Sequence, residues 1–262
     1  MRIKARVLFI MWFAVVGAAC SSSKVNEASV LFHEGVDLYN RGDCDNAQSK
    51  FVNAVQSDPK IREAYFYMAD CALKKGDYDE SLSFAKKALS LIANKKDKER
   101  FEKFFLIAGQ NALKNEDSDN AILFFDECVS ISHNDSDCHL WLGNSLLERA
   151  KDGDMKRAIS EFKAAFEKSE YTDKTTFQIR EFLFEKAKEY SLKGDTYSES
   201  RCYLAYTENF KPDIDAYVAL GRIFLSMGNP VGSLYYAKKA YALEPKNKAV
   251  MELMDDLSTP FH

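Results

Sequence analysis

The chain has 262 residues, a formal charge of −4 and 29% charged residues, a balance that offers no electrostatic pull toward nucleic acid or an anionic membrane surface. Five prolines against nineteen phenylalanines and thirteen tyrosines exclude a disordered chain, and 46% hydrophobic residues suffice for a sizeable core. Lys, Glu, Ala, Leu and Phe with few Gly and Pro favour helix over sheet.

The first element is a targeting segment. Arg2, Lys4 and Arg6 form a basic start, and the thirteen residues from Val7 to Ala19 carry no charge. Gly17, Ala18 and Ala19 run into Cys20, followed by Ser21, Ser22 and Ser23. Basic end, short apolar stretch and small residues at a cut make the three-part layout of a secretory signal. Thirteen residues rise only about 20 Å as a helix, short of the roughly 30 Å of a bilayer core. Small residues leading into a cysteine resemble the lipobox of bacterial lipoproteins. That resemblance implies a signal peptide over 1–19, a lipid on Cys20 and a polar tether over 20–27. Gly17 departs from the pattern, because leucine is commonest at its place. Plain secretory cleavage after Ala19 satisfies the same residues. Ser21 lacks the aspartate that marks inner-membrane retention, which points to the outer membrane, facing the periplasm, as the expected location.

The rest of the chain repeats. Residues 28–61 give Leu31, Gly35 and Leu38, then Gly42-Asp43, then Ala47, Phe51, Ala54 and Pro59. Residues 214–247 give Tyr217, Leu220, Gly221 and Phe224, then Gly228, Ser233, Ala237, Ala240 and Pro245. Weaker copies lie at 62–95, with Tyr65, Ala69, Gly76-Asp77 and Ala88, and at 102–135, with Phe105, Gly109, Ala121, Phe125 and Cys128. A fourth copy, 136–171, has Leu142, Gly143 and a turn lengthened by three residues, read as Gly153-Asp154, before Ala158, Phe162 and Ala165. The fifth, 180–213, has Leu183, Ala187, Tyr190, Gly194-Asp195 and Pro212, with an irregular second helix. Lys95 to Arg100 breaks the period and reads as a solvated helix extension, Ser169 to Thr176 as a linker, and 248–257 as a capping helix.

These offsets resemble the 34-residue tetratricopeptide repeat. The resemblance implies an all-α, right-handed solenoid of about six helical hairpins, with neighbours stacking because one hairpin cannot bury its apolar face alone. It also implies a concave wall formed by the first helix of each hairpin. The fifth repeat position there gives Phe32, Phe66, Leu106, Leu140, Phe184 and Val218, and the twelfth gives Tyr39, Leu73, Leu113, Leu147, Ser191 and Leu225. Eleven of these twelve are apolar or aromatic, so the wall carries an apolar stripe. The ninth position is mixed: Val36, Asp70, Gln110, Asn144, Lys188 and Arg222. Such a groove suits a partner helix or extended segment; the same positions also serve as packing between helices. Phe32 and Val36 stand where chaperone-binding members carry a carboxylate clamp, which argues against that mode.

Beyond Cys20 stand Cys44, Cys71, Cys128, Cys138 and Cys202. In an exported chain, Cys44–Cys71 and Cys128–Cys138 are candidate disulfides. Cys128, His133, Cys138 and His139 cluster in sequence without zinc-type spacing. The chain has no nucleophile elbow, P-loop, His-Glu-x-x-His or dinucleotide fingerprint, so no enzyme, metal or cofactor is expected. The expected function is a lipid-anchored envelope scaffold binding protein partners. By resemblance in length and repeat number, one such role is assisting assembly of a pilus secretin in the outer membrane. The alternative is a periplasmic solute-binding or transport-associated component.

Overall fold

The computed structural model describes residues 27–92, 95–132, 135–170 and 172–258. The signal segment, Cys20 and the start of the tether lie outside them. Thirteen helices account for nearly all of the described residues, and no strand occurs among them. They are α1 (27–40), α2 (Cys44–Ser57), α3 (Arg62–Lys75), α4 (Tyr78–Leu89), α5 (Lys95–Lys114), α6 (Ser118–Ile131), α7 (Ser136–Arg149), α8 (Asp154–Lys168), α9 (Thr172–Leu192), α10 (Thr196–Asn209), α11 (Ile214–Ser226), α12 (Pro230–Leu243) and α13 (Lys248–Ser258). Lys95–Arg100 is helical, as the first turns of α5. Two expectations are corrected. The linker ends early, because α9 begins at Thr172, and α10 is a regular 14-residue helix despite its weak pattern.

The described residues form two compact units that divide between Ala108 and Gly109. In the first, α2 packs on α3 and α3 on α4. Ala47, Phe51, Ala64 and Met68 are buried at its centre, and Phe51 stacks on Tyr67 at 5.4 Å and 8°. In the second, α7 packs on α8, α9 on α10 and α11 on α12, and both α7 and α8 pack on α9. The α13 cap packs on α11 and α12, burying Val250 and Leu253.

One contact recurs within the hairpins. A Cβ on Gly35 would stand 2.6 Å from Phe51, one on Gly109 2.6 Å from Phe125, and one on Gly143 2.5 Å from Phe162. Each ring is fully buried and sits against bare glycine backbone. Leu253 of the cap takes the equivalent place over Gly221. Burying one such ring contributes about 2–3 kcal/mol.

The turns are equally uniform. The residue ending each first helix is left-handed, with Gly42, Gly76, Gly194 and Gly228 at φ 82°, 78°, 72° and 72°. The following Asp or Asn caps the second helix. Asp77 Oδ1 accepts from Glu80 N at 3.0 Å, Asp117 from Asn120 N at 3.0 Å and Asn229 from Gly232 N at 2.9 Å. Hairpin three puts Glu116 at this left-handed place, φ 61°. In hairpin four two residues are left-handed: Ala150, φ 52°, ends α7, and Gly153, φ 84°, the turn glycine read from the sequence, directly precedes α8. Lys151, Asp152 and Gly153 are therefore the inserted residues. Asp154 is then displaced from the capping position into the first turn of α8. It is buried, accepting from Arg149 at 2.7 and 2.9 Å and from Lys151 N at 2.9 Å. The Arg149 bonds hold its carboxyl below the usual range.

Two substitutions separate close approach from backbone conformation. Gly109→Ala forces a methyl into Phe125 and is expected to cost about 1–3 kcal/mol. Glu116→Gly relieves the left-handed strain and is expected to gain about 1 kcal/mol. Urea unfolding of both variants reads the two signs.

Candidate functional site

The positions assigned to a concave wall divide into two sets. Many are held in contacts between helices. In the first unit Phe32, Val36 and Tyr39 pack against the Phe51–Met68 core, and Leu73 is buried. Phe66 lies 5.3 Å from Phe101 and 5.4 Å from Phe104, with the Arg100 guanidinium 3.6 Å over its ring. Leu106 is half-buried. Tyr39 donates to Asp70 at 2.5 Å and accepts from Lys74 at 2.8 Å, while Lys74 pairs with Asp70 at 2.9 Å. Burial first, then the Asp70 bond, raises the Tyr39 pKa. Burial alone would lower the Lys74 ammonium, but its bonds to Tyr39 and Asp70 outweigh that and raise it.

In the second unit Leu140, Leu147 and Val218 are buried among the helices. Phe184 is held edge-on by Tyr203 at 5.0 Å and Tyr206 at 5.7 Å, under Arg180. Leu225 is half-buried, and Ser191 and Lys188 are exposed.

Three of the remaining positions converge. Gln110, Leu113 and Asn144, with Lys114, Trp141 and Glu148, line an open depression of about 510 Å³ between α5 and α7. Trp141 forms its aromatic wall and is fixed by Phe125 at 6.5 Å and Phe182 at 5.7 Å. Glu148 is anchored at 3.2 Å by Lys186, a buried ammonium that also bonds Glu189 at 2.9 Å. A second depression of about 390 Å³ is lined by Val218 and Arg222 with Ile214, Asp215 and Asn247. Arg222 also reaches Glu252 at 3.3 Å. The first depression combines an indole face, an aliphatic side chain, two amides and both charge signs. That surface suits a peptide carrying one apolar anchor and polar neighbours.

The Cys/His cluster resolves differently. Cys128 and Cys138 form a disulfide joining the end of α6 to the start of α7, Cα to Cα 5.8 Å. His139 is buried; its Nδ1 lies 2.7 Å from Glu161 and its Nε2 3.0 Å from Lys168. His133 lies outside the described residues, among which no three metal-binding side chains converge. Cys44 and Cys71 are unbonded thiols, which corrects the other candidate pairing. Burial first, then the Cys44 neighbour, pushes Cys71 up to about 12, and burial pushes Cys202 up to about 12. Both remain thiols at neutral pH and are poor nucleophiles. No described helix is long and apolar enough to cross a membrane. Sequence reasoning missed Trp141, Lys114 and Glu148. Their signal was available, since Lys114 and Glu148 follow the twelfth repeat position and Trp141 follows the fifth.

Denaturing alkylation without reduction is expected to label Cys44, Cys71 and Cys202 and to spare Cys128 and Cys138. Labelling of Cys128 or Cys138, read by peptide mass spectrometry, would contradict the disulfide.

Residues 32–97 match the tetratricopeptide repeat family model. No curated protein sequence matches the chain significantly. Among solved structures, YrrB, described as a TPR protein with an unusual peptide-binding site, aligns at 16% identity over 86% of this chain and 90% of its own, TM-score 0.37. Pseudomonas aeruginosa pilF aligns at 12% identity over 89% and 99%, TM-score 0.34. PilW, described as a widely conserved type IV pilus biogenesis factor, aligns at 16% over 87% and 98%, TM-score 0.34. These comparisons indicate no enzyme family. Residues 32–97 thus carry the tetratricopeptide repeat, and helical hairpins with left-handed turns recur beyond them through α12.

Proposed function

We propose that this protein is a lipid-anchored scaffold of the bacterial cell envelope that holds a partner's helix or extended segment against the first helices of its hairpins. The tetratricopeptide fold supports a protein–protein interaction scaffold. The observation that carries the binding site is the depression between α5 and α7, where Gln110, Leu113 and Asn144 meet around Trp141. A rigid indole among adaptable polar side chains is the composition of a binding anchor. The envelope location rests on Arg2 to Ser23, the basic, apolar and small-residue sequence that ends at Cys20. A lipid on Cys20 would hold the hairpins at a membrane surface, where assisting assembly of an outer-membrane complex such as a pilus secretin is a fitting task.

The test is crosslinking in intact cells at native expression, comparing wild type with Leu113→Glu/Asn144→Arg. The wild type is expected to capture a discrete envelope protein that the variant, folded by circular dichroism, captures at least about tenfold less. An unchanged captured set would place binding on another face. Recovery of the protein only from the cytosol would contradict the envelope reading.

A further inference from the structure

A third cavity, of about 400 Å³, lies away from the α5–α7 depression, at the hairpin tips of repeats four and five. Leu146, Leu147 and Met155 give it an apolar floor. Its charged lining is Lys151, Lys156 and Arg201 against the single carboxylate of Asp152. Tyr190 and Ser198 add hydroxyl groups.

The three-residue insertion builds one wall. Lys151, Asp152 and Gly153 are the residues that the other hairpins lack, and Arg149 and Asp154 brace their two ends. Lys151 is partly satisfied by Asp119 at 2.9 Å. Lys156 and Arg201 have no ion pair among the described residues, and Arg201 lies only loosely over Tyr197, at 5.9 Å. The Tyr190 phenol, raised by burial, stays protonated and can donate.

We propose that this cavity receives two or three neighbouring glutamate side chains of a partner protein. The cations supply attraction and donors for carboxylates, and the partly apolar surroundings strengthen each charged contact relative to open water. The apolar floor selects glutamate over an inorganic anion, because it takes up methylene groups that a bare anion lacks. This assignment rests on the protein-binding reading and adds the chemistry of one partner segment.

Fluorescein-labelled octaglutamate, with octaglutamine as control, is titrated against the full-length protein and followed by anisotropy. Octaglutamate is expected to bind the wild type, more weakly as salt rises. Binding is expected to weaken at least about tenfold in Lys156→Glu/Arg201→Glu and to change less than about twofold in Lys238→Glu/Lys246→Glu, which alters net charge equally at exposed lysines outside the cavity. Absence of binding, or equal loss in both variants, overturns the proposal. So does displacement of the peptide by inorganic phosphate at equal concentration, which would make the cavity a small-anion site. Partner capture through Leu113 and Asn144 tests the groove separately, so failure here leaves that result standing.

Discussion

A glycine on the first helix of a hairpin meeting a phenylalanine ring from the second is the contact on which the rest of this structure depends. Gly35 and Phe51, Gly109 and Phe125, and Gly143 and Phe162 all make it, and in each the space a methyl would occupy is filled by the ring. The contact sets how closely two helices approach and how they are rotated about their axes. That rotation decides which first-helix positions turn toward neighbours and which toward solvent. Ring burial offsets the conformational cost of glycine in a helix, about 1 kcal/mol per residue.

The turn chemistry follows from the same geometry. A left-handed residue stops the first helix and an aspartate or asparagine starts the second, so spacing from glycine to ring is constant in hairpins one and three. Hairpin four adds three residues between these events and keeps its Gly143–Phe162 contact. The insertion is absorbed outside the core: Ala150 takes the left-handed place, Asp154 turns inward to Arg149, and Lys151 to Gly153 project as the wall of a basic cavity. A change that would have broken the hairpin if placed within a helix produced a surface feature when placed at its tip.

The repeat was legible because glycine, phenylalanine and the Gly-Asp turn carry strong local constraints at fixed offsets. The candidate site was legible in part. Position within the repeat led to Gln110, Leu113 and Asn144, but the same rule also selected Leu140, Leu147 and Val218, which are buried. Spacing reports the face of a helix; it does not report how far a neighbouring helix covers that face. In hairpin four glycine marked the left-handed residue before α8, Gly153, but gave no sign of the second one, Ala150, which ends α7. The basic cavity draws its residues from α7 to α10, so no local pattern announced it. Cys44 and Cys71 are close neighbours without a disulfide between them, so proximity along a repeat is a weak guide to pairing.

The dependence of the hairpin on its glycine–ring contact is tested most directly by a double-mutant cycle in repeat four, with Gly143→Ala, Phe162→Leu and the two together measured by urea unfolding. The added methyl clashes with the wild-type ring, and the smaller side chain leaves room for it. The double variant is therefore expected to be more stable than the sum of the single effects predicts, by about 1 kcal/mol or more. Additive effects, within about 0.5 kcal/mol, would mean that the two residues do not sense each other and would contradict the account.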